Sequence, residues 1–399
     1  MQEWINLTTV TSVLFWLLIL AGSSFAGFSR CYEDSTSLEA TMPIRGIAAL
    51  GVIFHHISQN GDFQKLHLMS PFVNAGFLFV AVFMFFSGYG LIKSLDAKPG
   101  YLKGFFSRRL PVILVPYYVS ILFCIIWRLI EHASYTPLQW LSYALGVAMI
   151  NEYAWYPITL LFLYLAFYFC VGKIKNRNLS LILVLLFIVF LGAVFAVNGH
   201  FAWWYGKKNW WLSFNPNPKW WTAQKVFWFS GEWWVNSAIA FWVGLFVASK
   251  ERAVRKFFKR LYWLWLAVLA GLVWAASVLN SFMQGKFGYW TEYSGMGPGI
   301  CNKFITFLGQ LPYVALFALL LYVLLMKVKT SNPVTRFLGK ISYETYMMNF
   351  LAINIASKSY PALIGKEMYC VLVVALTMIL ALVYRAVNQG VLKLIKSRR

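Results

Sequence analysis

The sequence predicts an all-α fold: a polytopic helix bundle integral to a membrane. Three observations carry that reading. Apolar residues make up 60% of the 399 residues, charged residues only 12%, and mean hydropathy is +0.64; soluble domains run near half apolar and a quarter charged. Apolar runs approaching the ~20 residues that a bilayer requires recur from one end of the chain to the other. Lys and Arg gather in short clusters between alternate runs, the pattern that sets orientation in multi-pass proteins.

Taken in order, the apolar runs predict spans near 4–28, 43–59, 72–92, 111–131, 157–172, 179–198, 231–249, 261–279, 304–326, 338–357 and 367–385. The piece at 138–150 is too brief to cross and reads as an interfacial or re-entrant segment. Met1-Gln2-Glu3 carries no positive charge and the run after it is long, so the first span reads as a retained helix rather than a signal peptide. The expected organisation is an extra N-terminal helix and linker over 1–42, a membrane domain over 43–385, and a basic cytoplasmic tail over 386–399.

Charge tests the count. Most of the 35 lysines and arginines fall in the loops at 93–109, 173–178, 250–260 and 327–340 and in the tail. Those segments alternate with poorly basic ones, which places the C-terminus in the cytoplasm and, with eleven spans, the N-terminus outside. A net charge of +22 distributed this way marks membrane topology, not a nucleic-acid partner. Cys31, Cys124, Cys170, Cys301 and Cys370 form no CxxC pair, so neither a disulfide framework nor a metal site is expected.

Charge inside a bilayer is costly and therefore a functional candidate. The second span carries Arg45 near its start and His55-His56 near its end. Eleven helical residues rotate about 1100°, so Arg45 and His56 share a face, about 16 Å apart along the axis, while His55 lies about 80° away. An imidazole titrates near neutral pH and is a natural general base for a hydroxyl. The expected reading is functional for His56 and structural for His55. The third span ends Phe85-Phe86-Ser87-Gly88-Tyr89, where glycines permit close helix packing and Ser87 offers a hydroxyl. Lys103, Arg108 and Arg109 follow in a basic stretch suited to a phosphorylated donor. The tenth span adds a polar patch with Glu344 and Asn349.

Aromatics mark the opposite side. Trp203-Trp204, Trp210-Trp211, Trp220-Trp221 and Trp233-Trp234 fall in or beside one non-cytoplasmic loop. Part of this set is an interfacial belt; Trp210 and Trp211 are also candidates for stacking on a sugar.

Together these residues resemble the acyltransferase 3 family of bacterial membrane O-acyltransferases. The resemblance runs in order: Arg45 followed eleven residues later by His56; Phe85-Phe86-Ser87-Gly88-Tyr89; Arg109 leading to Pro116-Tyr117; Trp155-Tyr156-Pro157 opening a later span; and Leu338-Gly-Lys-Ile-Ser-Tyr343 through Tyr346. The family core has ten spans, so the first helix is an addition. Two positions depart from the pattern. The second arginine of the cytoplasmic motif falls near Val112, leaving Arg108 or Lys103 to supply that contact, and the last motif ends in Asn349 where histidine is common.

The resemblance implies acyl transfer, usually of acetyl from acetyl-CoA, to a hydroxyl of a cell-surface glycan or lipid-linked sugar, in the bacterial inner membrane. It implies Arg45 and His56 as the chemical pair. The expected donor contacts are Lys103, Arg108, Arg109, Ser87 and Tyr89. The expected acceptor contacts are Trp155, Trp210, Trp211, Glu344 and Asn349. Acyl-CoA is a co-substrate, no resident cofactor or metal is expected, and membrane lipids are the surroundings. The competing class is a glycolipid or polysaccharide transporter or flippase that binds without bond chemistry; such proteins often show internal repeats, and none is evident here.

Overall fold

The computed structural model describes residues 7–59, 70–135, 137–146, 149–203, 237–288, 300–359 and 366–397. The helices are α1 (Leu7–Leu20), α2 (Leu38–Ser58), α3 (Ser70–Val73), α4 (Gly76–Ala97), α5 (Phe105–Ile130), α6 (Pro137–Ala144) and α7 (Trp155–Ala166). After a π-helical turn at Phe167–Val171 come α8 (Arg177–Trp203), α9 (Ala238–Ser249), α10 (Glu251–Arg260), α11 (Tyr262–Phe287) and α12 (Ile300–Leu325). The chain closes with α13 (Pro333–Lys340), α14 (Ser342–Ser359) and α15 (Lys366–Ser397). The strands β1 (Ser23–Phe25) and β2 (Val328–Thr330) form a short antiparallel pair.

The all-α membrane architecture holds. Among the described residues seven helices are long and apolar enough to cross a membrane: α2, α4, α5, α8, α11, α12 and α15. α7 with its π turn and α9 are apolar but shorter. α11 shows what the surroundings must be. It buries only Tyr262, Leu269 and Asn280 and leaves Leu264, Leu272, Trp274 and Phe282 exposed. An apolar face of that extent is untenable in water and ordinary against lipid.

Several expected boundaries move. The run at 4–28 is not one helix. α1 stops at Leu20, Gly22 adopts φ +72°, and the chain turns into β1, whose Ser23 pairs with Thr330. Glycine enters that left-handed region at no steric cost, and a Cβ there would also press on the Ser331 carbonyl at 2.5 Å. α2 starts at Leu38, not 43, because Ser37 caps it by accepting from the Ala40 amide at 3.2 Å. The run at 338–357 is divided at Ile341. Its first residues belong to α13, a separate helix with Pro333 in its first turn and a reciprocal Asn332–Thr335 capping box, an arrangement that satisfies otherwise orphaned amides. The last helix passes the expected 385 and continues to Ser397. Of the segment expected at 138–150, the described residues hold the eight-residue α6, which begins at Pro137.

The chain divides into two compact units. The first comprises residues 1–82, 111–132 and 324–399. α2 packs against α13 and α14, and α1 against α15. Where α2 meets α13, a Cβ on Gly46 would strike the Gly339 amide at 2.6 Å, and one on Gly339 would overlap the Met42 carbonyl. Phe15 of α1 sits edge-on to Phe54 and Phe72 at 5.3 and 5.1 Å. The turn around β1 and β2 is tied by Lys327, which is 1% exposed. Its ammonium donates to the carbonyls of Gly27, Phe28 and Arg30 at 2.6, 2.7 and 2.8 Å. All three of its donors are thereby used, which is what lets a lysine be buried.

The second unit comprises residues 83–110 and 133–323. Here α4 and α9 approach until a Cβ on Gly88 would overlap the Phe241 carbonyl and one on Gly244 the Phe85 carbonyl. Small residues permit such contact between apolar helices. Trp242 of α9 donates to the Leu181 carbonyl of α8 at 2.8 Å, and Tyr262 of α11 donates to the Val323 carbonyl of α12 at 3.1 Å.

Candidate active site

In the first unit α2 carries the predicted pair Arg45 and His56. From Gly46 to Ser58 every residue is buried except His55 and His56, which are partly exposed, as is Arg45. The two histidines differ in their partners. His55 Nδ1 lies 2.8 Å from the Phe72 carbonyl, and its ring fills the space where Gly76 lacks a Cβ. That ring is a bridge from α2 to α3 and α4. His56 Nδ1 lies 3.3 Å from Oε1 of Gln59. In the tautomer that donates from Nδ1 to this amide oxygen, Nε2 is the basic nitrogen.

Arg45 points the other way. Its Nη2 reaches back to Thr41 Oγ1, one turn toward the helix start, at 3.4 Å, as helical side chains lean toward the N-terminus. With about 16 Å of helix axis between the two residues, guanidinium and imidazole do not converge on one carbonyl group. Arg45 suits a remote, charged part of a substrate, and His56 a reacting hydroxyl.

α14 of the same unit adds the predicted Glu344 and Asn349. Glu344 is half-buried, within electrostatic reach of Arg385. Asn349 is fully buried; its amide nitrogen donates to the Tyr346 carbonyl at 2.7 Å, and its Oδ1 accepts from no donor among the described residues. Thr345, one turn earlier and also fully buried, has a hydroxyl in the same condition. At i and i+4 the two share a face of α14.

The second unit gathers other predicted residues into two hydrogen-bonded groups. Ser87 Oγ lies 3.1 Å from the hydroxyl of Tyr164. Arg109 donates to the hydroxyl of Tyr101 at 2.5 Å, and both Arg109 and Tyr101 lie within electrostatic reach of Tyr164. Tyr164 sits one turn before the π-helical segment, a local widening often found at functional positions. Arg108 donates to the carbonyls of Tyr101 and Lys103 at 2.5 and 2.6 Å, so two of its five donors hold the turn before α5. Its exposed position and that of Lys103 leave both accessible.

Tyr89 belongs to the other group. It donates to Glu251 at 2.5 Å, and Lys93 donates to the second carboxylate oxygen at 2.8 Å. Burial pushes the Glu251 carboxyl up, but the hydrogen bonds from Lys93 and Tyr89 and the charges of Lys93 and Arg255 outweigh it and hold the group below the usual carboxylate range. Trp155 opens α7, partly buried. Trp210 and Trp211 lie outside the described residues.

Sequence reasoning did not single out Gln59, Tyr101, Tyr164 or Glu251. Gln59 was within reach of it, since it stands three residues after His56 at helical spacing. The other three pair with residues 8 to 162 positions away and carry no local signal. Among the described residues no cluster of three His, Cys, Asp or Glu is placed to hold a metal ion.

Residues 44–386 match the family model described as an acyltransferase domain. No curated protein and no solved structure is similar enough to the chain to count as a match.

Proposed function

The chain belongs to the acyltransferase 3 family, and from that premise we propose that it moves an acyl group, acetyl in the first instance, from a cytoplasmic acyl-CoA to a hydroxyl of an extracytoplasmic glycan or lipid-linked sugar. The acyl-CoA is a co-substrate, and the setting is the bacterial inner membrane.

The supporting observation is the placement of two polar side chains along α2. An imidazole within hydrogen-bond distance of Gln59 stands near one end of a buried helix, and a guanidinium turned toward the other end stands about 16 Å away along the axis. In the proposed reaction Nε2 of His56 takes the proton of the acceptor hydroxyl. The oxygen attacks the thioester carbonyl, the carbon–sulfur bond breaks, and the departing thiolate takes the proton back from the imidazolium. Acyl ester and free thiol are the products, and the imidazole is restored. Arg45 holds the anionic part of the donor. The unsatisfied oxygens of Asn349 and Thr345 suit the hydroxyl or amide donors of a substrate. In the second unit, Arg109 with Lys103 and Arg108 is proposed to bind donor phosphates, and Ser87 and Tyr89 to line the donor path. Trp155, Trp210, Trp211 and Glu344 are proposed to receive the acceptor.

The test compares acylation of surface glycan in cells carrying wild-type protein or His56→Ala at equal abundance in the membrane. Loss of the acyl ester in the variant is expected. Equal acylation would remove His56 from the mechanism.

A further inference from the structure

We infer that α10 is an in-plane interfacial helix that binds anionic phospholipid headgroups; the inference is independent of the acyl-transfer reading. α10 (Glu251–Arg260) lies between the apolar helices α9 and α11, so it turns at the edge of the hydrocarbon rather than within it. Its residues sort into four stripes, because positions four apart nearly coincide on a helix. Val254, Phe258 and Tyr262 make the inward stripe, with Phe258 and Tyr262 buried. Ala253, Phe257 and Leu261 make the neighbouring stripe, and it is exposed, Phe257 at 52% and Leu261 at 51%. Arg252, Lys256 and Arg260 make the stripe on the far side from the protein core, all exposed, with exposed Lys259 beside them.

The helix thus has three surfaces with three different requirements. One is satisfied by the protein. The second is apolar and faces outward, with the Phe257 ring packed on Trp265 at 4.5 Å. The third is cationic. A helix lying in the plane of a membrane interface meets the last two requirements at once, with its apolar flank at the acyl boundary and its charges among the headgroups. Four exposed cations within nine residues, with no acidic side chain among them on that surface, are complementary to phosphate-bearing, net-anionic lipid. Each such cation strengthens attachment to an anionic surface by about five-fold.

The experiment reads backbone hydrogen exchange over 251–261 in the full-length protein, reconstituted in nanodiscs of phosphatidylcholine alone or of phosphatidylcholine with phosphatidylglycerol. Exchange is expected to slow several-fold in the anionic discs, to return toward the neutral-disc rate at high salt, and to lose its lipid dependence in Arg252→Gln/Lys256→Gln/Lys259→Gln/Arg260→Gln. A control variant, Lys393→Gln/Lys396→Gln on α15, is expected to retain it. Equal exchange of the wild-type protein in both discs overturns the inference, and so does protection by inorganic phosphate in neutral discs, which would mark a site for a soluble anion. The wild-type lipid comparison decides the matter even if the four-fold variant fails to fold.

Discussion

Arg45 and His56 lie on one stripe of α2, yet their polar ends diverge: the guanidinium turns back to Thr41 at 3.4 Å while the imidazole turns forward to Gln59 at 3.3 Å. The proposed function gives them separate tasks, and separate tasks give separate kinetic signatures. His56→Ala is expected to lower kcat by about 10²–10⁴, the usual contribution of a general base. Arg45→Ala is expected to act mainly by raising the KM for the acyl donor. Steady-state kinetics on reconstituted protein separates the two; a kcat loss of the same size in both, with donor KM unchanged in both, would contradict the division.

Gln59 is proposed to favour the His56 tautomer that donates from Nδ1. Gln59→Leu removes the acceptor and is expected to reduce kcat about five-fold, the equivalent of one ordinary hydrogen bond of ~1 kcal/mol. Gln59→Glu restores an acceptor and should recover most of the rate at neutral pH. If both variants act alike, the contact does not orient the ring.

Packing between α4 and α9 relies on two glycines facing backbone. A methyl group at Gly88 or Gly244 would overlap the Phe241 or Phe85 carbonyl, and a carbonyl has no rotamer by which to move aside. Gly88→Ala and Gly244→Ala are each expected to destabilise by about 1–3 kcal/mol, typical of overpacking. Gly90→Ala, two residues on and about 200° round the helix, meets nothing within 4 Å and serves as the control, expected to be neutral or mildly stabilising. Thermal unfolding in detergent measures all three.

Glu251 ties α10 to α4 through Tyr89 and Lys93, and its carboxyl is held below the usual range. A group with a depressed folded-state pKa contributes stability above its unfolded value and loses it as pH falls through the folded value. Wild-type protein is therefore expected to unfold at higher temperature than Glu251→Gln at neutral pH. The gap should close only as pH drops below the ordinary carboxylate range. A gap independent of pH would show that the contact acts through shape rather than charge.

Composition and apolar run length are summed along the chain, and so they were enough to determine a helical membrane protein and to place most of its spans. Helix periodicity is equally local, and it placed Arg45 and His56 on one face before any packing was known. Tertiary structure decided what depends on residues meeting across long separations. β1 leaves the expected first span because Ser23 finds Thr330; Tyr164 meets Ser87 from 77 residues away; Glu251 meets Tyr89 from 162 away. Such pairings depend on how helices pack, which no local spacing encodes, whereas the partners of Arg45 and His56 stand only four and three residues away along the chain.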